Sequence, residues 1–389
     1  MTIGLSKTKR GIRLAGLLAG LVVLTGCWLE PVTAVQPTGT RAAPKASTPI
    51  STLNLTPTFT LTSVPTATAT VAATATLTAT HAATAENVCP SGNCAYACLS
   101  KIRSFLNGPG QPLYPPNSIY PNPGRSLKMT TLVTYQIEGD QITAPVLAPN
   151  LASDLLPYQA DRPAQQRIWD FFAKILPSDQ RREIQAFVIG TDGRAGVLAS
   201  ISMLSSNLDK WQLNVDIVDA VDPTNMTYTL LHEFGHLLTL DNSQEIPDLK
   251  LLNHPNDQNV YATESATCSQ FLTSEGCSKP DSYINAFYQK FWLDLFGTWA
   301  TINAETDPAT YDSQLEKFYF AHQDQFVTPY SATSPEEDIA EAWTHFIFDV
   351  KPAANSVARQ KILFFYNYPD LVNLRSQIVN GICLYSQGK

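Results

Sequence analysis

Two histidines and a glutamate lie close together near the middle of the chain, in the segment His232-Glu233-Phe234-Gly235-His236. Residues four apart share one face of an α-helix, so a helix here would present two imidazole nitrogens to one metal ion. Glu233 would lie beside that metal, where a carboxylate can take a proton from a metal-bound water. The chain has only six histidines, so chance would seldom place two of them in this pattern. The alternative is that both are structural, hydrogen-bonded residues of a helix.

The residues around this motif predict a buried helix. Asp222-Pro223 is typical of a helix N-cap followed by proline at the first helical position. Apolar residues then recur on more than one face of the helix, at Leu230, Leu231, Phe234, Leu237 and Leu238. The H-E-x-x-H pattern is a zinc-peptidase signature. The metzincin extension needs glycine at 239 and histidine at 242, but the chain has Thr239 and Asn242, which leaves the class with two histidines and a distant glutamate.

The third metal ligand is predicted on a second helix, about a hundred residues downstream. Ser334 is a candidate N-cap and Pro335 a candidate first helical residue. Glu337 and Glu341 lie four apart and therefore share a face of this helix. Glu337 would coordinate the metal, and Glu341 would orient a ligating imidazole through its free N–H group.

Other assignments remain open for this helix. Ser334 and Glu337 also fit a capping box, in which Glu337 would only cap its own helix, and Glu341 would then be the next candidate ligand. Asp241, Glu245 and Glu264 are acidic alternatives nearer the first helix.

The two segments together resemble a known family. H-E-F-G-H followed by Y-x(6)-E-x-x-A-E-A is similar to the catalytic domain of anthrax lethal factor and its bacterial relatives, which are gluzincin zinc peptidases of the thermolysin type. The resemblance implies that His232, His236 and Glu337 bind Zn²⁺, that Glu233 is the general base, that Tyr330 stabilises the oxyanion, and that Glu341 supports a ligand. From its position alone, Tyr330 is more typical of a packing residue at a helix entry.

The resemblance covers about thirty residues in two blocks. The spacing between His236 and Glu337 is roughly twice the gap expected for that family. We therefore interpret residues 245–300, which contain Cys268 and Cys277, as an insertion.

The N-terminus has the features of an export signal. Lys7, Lys9, Arg10 and Arg13 precede a short apolar run, Leu14 to Leu24, too short to span a bilayer as a helix. Leu24-Thr25-Gly26-Cys27 resembles a bacterial lipobox, which implies removal of residues 1–26 and acylation of Cys27. The alternative is an ordinary secretory peptide with a coincidental cysteine.

Residues 27–85 are rich in Thr, Ala, Pro and Ser and have no pattern that could form a core, which predicts a disordered tether behind the lipid anchor. The formal net charge is −8, which argues against nucleic acid as a partner. We expect a protein anchored by lipid outside the cytoplasm, at the bacterial cell surface or envelope. The oligomeric state is not predicted.

Six cysteines remain if Cys27 is lipidated: Cys89, Cys94, Cys98, Cys268, Cys277 and Cys383. An even number in an exported chain favours disulfides. Cys268 and Cys277 are the expected pair because they close a short loop, and one N-terminal cysteine is expected to reach Cys383. A metal site at Cys94-x3-Cys98 is the alternative.

Residues 86–389 are predicted to form an α+β domain, zincin-like, with a small mixed-sheet lobe followed by a mainly helical lobe. Two hairpins are predicted, from Leu132 to Thr143 and from Val197 to Val218, with a strand at Ala186 to Ile189 between them. One amphipathic helix is predicted from Ile284 to Phe296.

The function expected from these features is zinc-dependent hydrolysis of a peptide or protein substrate by a surface lipoprotein. The alternative is a surface binding or assembly lipoprotein that keeps the zincin fold and has little turnover.

Overall fold

The computed structural model describes residues 94–102, 129–193, 197–255 and 257–388. Predictions for the signal peptide, Cys27, the tether and Cys89 therefore fall outside the described residues. The described residues belong to one unit, and among them no helix is both long and apolar enough to cross a membrane.

A mixed sheet of five strands forms the first part of the fold. Its spatial order is β2-β1-β3-β5-β4. The strands, in chain order, are β1 Thr130–Glu138, β2 Gln141–Leu147, β3 Ile184–Thr191, β4 Ala199–Leu204 and β5 Asn207–Asp216. All neighbouring pairs are antiparallel except β3 and β5, which are parallel. β4 is therefore an antiparallel strand at one edge of the sheet.

Both predicted hairpins are present. β1 and β2 are joined at Gly139, whose φ of 64° lies in the left-handed region that favours glycine. β4 and β5 form the second hairpin, and alternate residues of β5, Trp211, Leu213 and Val215, are buried as the sequence pattern indicated. The apolar face of the sheet is thus turned towards the helices.

Helices make up most of the remaining described chain. They are α1 Cys94–Leu99, α2 Leu156–Ala160, α3 Arg162–Ile175, α4 Pro223–Leu240, α5 Leu249–Asn253, α6 Gln258–Ser265, α7 Tyr283–Phe291, α8 Phe296–Asn303, α9 Pro308–Ala321, α10 Pro335–Phe348, α11 Val357–Phe364 and α12 Pro369–Ser386. The sheet precedes most of the helices, so the fold class is α+β, as predicted.

One predicted helix is wrong in its extent. The helix expected from Ile284 to Phe296 is divided into α7, which ends at Phe291, and α8, which begins at Phe296. The turn between them places Trp292 in the core, where its indole N–H donates to a carboxyl oxygen of Asp338 at 2.7 Å. A buried polar contact with α10 therefore decides where α7 ends, although the apolar pattern continues.

The segment after α4 carries a second, two-stranded sheet. Its strands are β6 Glu245–Pro247 and β7 Gly276–Ser278. α5 and α6 lie between them in the chain, and a disulfide joins Cys268 to Cys277. This unit corresponds to the first part of the predicted insertion.

A second disulfide joins Cys98 of α1 to Cys383 of α12, near the two ends of the described chain. Both expected bonds are thus present: the short loop and the link from an N-terminal cysteine to Cys383. The pairing of Cys89 and Cys94 lies outside what the structure describes.

Candidate metal centre

Helix α4 carries the H-E-x-x-H segment. The side chain of Asp222 caps its first turn, accepting hydrogen bonds from the backbone N–H groups of Thr224 and Asn225 at 2.9 and 3.2 Å. Most of the helix is buried, and His232 and Glu233 are only 6% and 8% exposed. The sequence-predicted cap and the buried helix are both present.

Helix α10 brings the predicted carboxylates to α4. Ser334 caps it by accepting from the backbone N–H of Glu337 at 3.1 Å. The side chain of Glu337, however, reaches the two histidines of α4. The capping alternative is thus half right: Ser334 is the cap, but Glu337 is directed at the candidate metal group.

The two helices approach closely at Gly235. A Cβ built on this residue would lie 3.0 Å from Cδ1 of Trp343 and 3.2 Å from Cα of Ala340, both on α10. Glycine at this position therefore allows α10 to lie against α4 with Glu337 facing the histidines.

Three donor atoms converge between these helices. Oε2 of Glu337 lies 2.9 Å from Nε2 of His232 and 3.3 Å from Nε2 of His236, and the two Nε2 atoms are 3.1 Å apart. A tetrahedral ion with bonds of about 2.0–2.2 Å needs donor atoms about 3.3–3.6 Å apart. These side chains can therefore hold a metal ion after shifts of a few tenths of an ångström.

Glu341 orients His232 from the other side of the imidazole ring. Its Oε1 lies 2.9 Å from Nδ1 of His232, while its Oε2 accepts from the hydroxyls of Tyr228 and Thr328 at 2.9 and 2.7 Å. Burial favours a raised pKa for Glu341, but the contacts with His232, Thr328 and Tyr228 outweigh it and lower the pKa. An ionised Glu341 accepts the Nδ1–H of His232, which leaves Nε2 as the nitrogen that could bind a metal ion.

The three side chains of the candidate ligand group shift one another's pKa values. Burial would raise the pKa of Glu337, but the nearby His236 and His232 hold it well below its ordinary value. Burial would lower the pKa of both histidines, but the carboxylates around them outweigh it and raise the pKa of each. Glu337 is therefore anionic, and a metal cation would compete with protons for the histidines.

Glu233 lies beside this group but has a separate anchor. Its Oε2 accepts a hydrogen bond from the backbone N–H of Ile201 in the edge strand β4, at 2.8 Å. Burial raises its pKa, repulsion from Glu337 adds to that shift, and His232 and His236 oppose it. A carboxylate with a raised pKa is a better proton acceptor than an ordinary exposed one.

Tyr330 lies next to the same group, in a short 3₁₀ turn before α10. The centre of its ring is 5.7 Å from that of His232. The residue as a whole is 41% exposed. Desolvation of its hydroxyl, and then repulsion from Glu337 and Glu233, raise its pKa, and the hydroxyl hydrogen-bonds with Glu337. The hydroxyl therefore keeps its proton and can act as a donor.

The site also uses residues that the sequence did not predict. Tyr228 lies one turn before His232 on α4, so its spacing was a usable signal. Thr328 and the N–H of Ile201 come from a loop and a strand that only the folded chain brings to the site. The acidic alternatives Asp241, Glu245 and Glu264 do not belong to the three-residue ligand group.

Comparisons with protein-family models, with curated proteins and with solved structures find no match for this chain.

Proposed function

We propose that this protein is a zinc-dependent metallopeptidase with a zincin-like fold, of the gluzincin type. The observation that carries the proposal is the convergence of His232, His236 and Glu337 within 4.8 Å of one another, with Glu233 on the same helix as both histidines. Two imidazoles, one carboxylate and an open fourth position are the ligand set of thermolysin-type catalytic zinc.

Each residue of the site has a separate role in hydrolysis. When bound, zinc supplies Lewis-acid polarisation of the scissile carbonyl and lowers the pKa of a coordinated water. Because the N–H of Ile201 holds Oε2 of Glu233, we assign proton acceptance from the water to Oε1. Glu233 then passes that proton to the leaving amine. The hydroxyl of Tyr330 donates a hydrogen bond to the developing oxyanion.

The edge strand β4 supports a peptide as the substrate. Its partner β5 occupies only one side, so the other side has backbone groups outside the sheet, and Ile201 on that side already contacts Glu233. An extended peptide can add to such an edge by main-chain hydrogen bonds. A substrate bound in this way would pass close to the candidate metal group.

The proposed location is the outer side of a bacterial membrane, with Cys27 lipidated and residues 27–85 as a tether. The lipobox-like segment before Cys27 carries this part of the proposal. The two disulfides support it, because such bonds persist in oxidising compartments.

The decisive variant is Glu233→Gln, which keeps the shape of the side chain but cannot accept the proton. We expect zinc content, measured by mass spectrometry, to match the wild type. Cleavage of a peptide library should fall by several orders of magnitude, because positioned acid–base catalysis alone contributes about 10²–10⁴-fold. Asp281→Asn serves as the control, because it removes the same charge from an exposed residue. Bound zinc without cleavage of any peptide by the wild type would instead favour a binding or assembly protein.

A further inference from the structure

A buried ion pair lies one residue away from the candidate metal ligand Glu337. Asp338, the next residue of α10, pairs with Lys361 of α11: its Oδ2 lies 2.5 Å from Nζ, and both side chains are 0% exposed. Among the ion pairs of the described residues, this is the one in which both side chains are fully buried. The same Oδ2 accepts from the indole N–H of Trp292 at 2.7 Å. Asp338 thus has two polar partners, one on α11 and one in the turn between α7 and α8.

Aromatic rings surround the ammonium group of Lys361. Its Nζ lies 4.3 Å from the centre of the Phe326 ring and 5.9 Å from the centres of the Phe287 and Phe291 rings. A cation is attracted to the face of an aromatic ring, so these rings hold the ammonium group in one place in the core. Asp338 must therefore meet Lys361 at that place.

Stability alone does not explain this ion pair. Moving two charges out of water is costly, and replacing a buried ion pair by well-packed apolar residues is often neutral or stabilising. Ion pairs and hydrogen bonds have preferred geometries, whereas apolar burial is non-directional. The contacts of Asp338 therefore favour one orientation of α10, which apolar packing alone would define less well.

The orientation of α10 decides where its carboxylates point. Glu337 and Glu341 both reach His232 on α4, whereas Asp338 points about 100° further around the helix than Glu337. Side chains extend to about 5–6 Å from a helix axis, so a rotation of about 10° would move each carboxylate by about 1 Å. Metal–ligand distances are held to within about 0.2 Å. The contacts of Asp338 thus oppose a rotation that a metal site would not tolerate.

We propose that Asp338 is a positioning residue of the candidate metal centre, and that its contacts with Lys361 and Trp292 fix the rotation of α10 about its own axis. Both carboxylates of α10 are thereby held against the histidines of α4. This inference rests on the proposed function, because the site that it serves is the proposed zinc site. It gives α11 and the turn between α7 and α8 a role in metal binding.

The test replaces these polar groups by apolar side chains of similar size. Trp292→Phe, Asp338→Leu and Lys361→Met combined remove both directional contacts and leave none of the three with an unpaired charge or N–H group. We expect the free energy of unfolding in urea to equal or exceed that of the wild type. Zinc affinity, measured by competition with a zinc-binding dye, should nevertheless fall by about tenfold or more, as for other residues that orient metal ligands.

A milder variant keeps the shapes of the side chains. Asp338→Asn combined with Lys361→Met removes both charges but leaves an oxygen that can accept from Trp292. Its loss of zinc affinity should be smaller than that of the triple variant but measurable. In both variants the visible absorption bands of Co²⁺ bound in place of zinc should change, because they depend on ligand geometry. If the triple variant does not fold, the milder variant decides.

Arg181→Met is the matched control, because it also removes a buried charge. Arg181 is 3% exposed, and its guanidinium group donates to the carbonyls of Leu176 and Gly139 at 3.3 and 2.8 Å. Leaving buried carbonyls without a donor is costly, so this variant should be less stable while its zinc affinity and Co²⁺ spectrum stay unchanged. A loss of zinc affinity as large as that of the triple variant would overturn the proposal, because zinc affinity would then follow any damage to the core.

The remaining outcomes separate this proposal from the peptidase proposal. Wild-type zinc affinity and Co²⁺ spectrum in both Asp338 variants overturn the positioning role, whereas zinc binding without cleavage counts against the peptidase alone. If the wild type binds no zinc, the proposed function fails, and NMR of the metal-free protein decides the positioning role. The Nδ1–H of His232 lies against Glu341, with 2.9 Å between Nδ1 and Oε1, and should give a resonance protected from exchange. Its loss or shift in the triple variant supports the proposal, and an unchanged resonance overturns it.

Discussion

Each nitrogen of the His232 ring has its own carboxylate, Glu341 at Nδ1 and Glu337 at Nε2. The sequence predicted both carboxylates, because H-E-x-x-H and E-x-x-x-E each place two residues on one helical face. It could not predict Thr328 or the N–H of Ile201, because no local pattern links them to the motifs. Residues on the two helices were thus predictable from spacing, whereas residues that orient them depend on the tertiary fold.

The role of Tyr330 can be tested by enzyme kinetics. Its hydroxyl keeps its proton because desolvation of the hydroxyl and the carboxylates around it raise its pKa, so it is available as a donor. Removing the hydroxyl in Tyr330→Phe should lower kcat by about 10²–10³-fold, as for other oxyanion donors. KM should change little, because the donated bond forms mainly in the transition state. Steady-state kinetics on a cleaved peptide measures both constants.

Tyr228→Phe is the matched control for this change. It also removes one tyrosine hydroxyl, but that hydroxyl donates to Glu341 and not to the reacting group. We expect its main effect on zinc affinity, because such supporting contacts orient a ligand. If Tyr330→Phe is as active as the wild type, Tyr330 is a packing residue, as its position alone suggested.

At the scale of elements, the site depends on how closely α4 and α10 approach each other. Gly235→Ala would place a methyl group 3.0 Å from Trp343 and 3.3 Å from the Cβ of Ala340. Trp343 is fully buried, so α10 itself must move by a few tenths of an ångström. Overpacking costs about 1–3 kcal/mol, and replacing a helical glycine by alanine recovers about 1 kcal/mol. We expect a small net loss of stability and a clear loss of zinc affinity, because Glu337 and Glu341 move with α10.

Gly297→Ala on α8 is the control for helix propensity. No atom lies within 4 Å of a Cβ at Gly297, so this variant should be more stable by about 1 kcal/mol, with unchanged zinc affinity. Thermal unfolding and competition with a zinc-binding dye measure the two quantities. If Gly235→Ala binds zinc as tightly as the wild type, the close approach at this residue does not position the ligands.

Sequence patterns predict some helices and strands of this fold but not others. β5 was predicted because one face of the strand is apolar and buried, so apolar and polar residues alternate along it. The division between α7 and α8 was not predicted, because it follows from the contact of Trp292 with Asp338 on α10. Lys361 of α11 also lies 2.5 Å from that carboxyl group, and both charges are fully buried. Such contacts between distant segments have no signature within either segment.

For the whole molecule, the disulfide between Cys98 and Cys383 joins positions 285 residues apart. The sequence indicated that an N-terminal cysteine would reach Cys383, but could not say which one, since several pairings of six cysteines satisfy the same count. Likewise the sequence indicated an α+β class, but not the sheet order β2-β1-β3-β5-β4. That order decides that β4 is the edge strand beside Glu233.

The two disulfides should differ in how much they stabilise the folded protein. In the chain-entropy model, a bond that closes a long loop restricts the unfolded chain more than one that closes a short loop. Replacing both Cys98 and Cys383 by serine should therefore lower the free energy of unfolding by about 2–5 kcal/mol. The bond between Cys268 and Cys277 spans only 9 residues, so the corresponding double variant should lose less. Double variants avoid a single unpaired thiol that could form a new bond.

Urea unfolding of the two double variants measures both losses of free energy directly. Equal losses of stability in the two variants would contradict the loop-length argument.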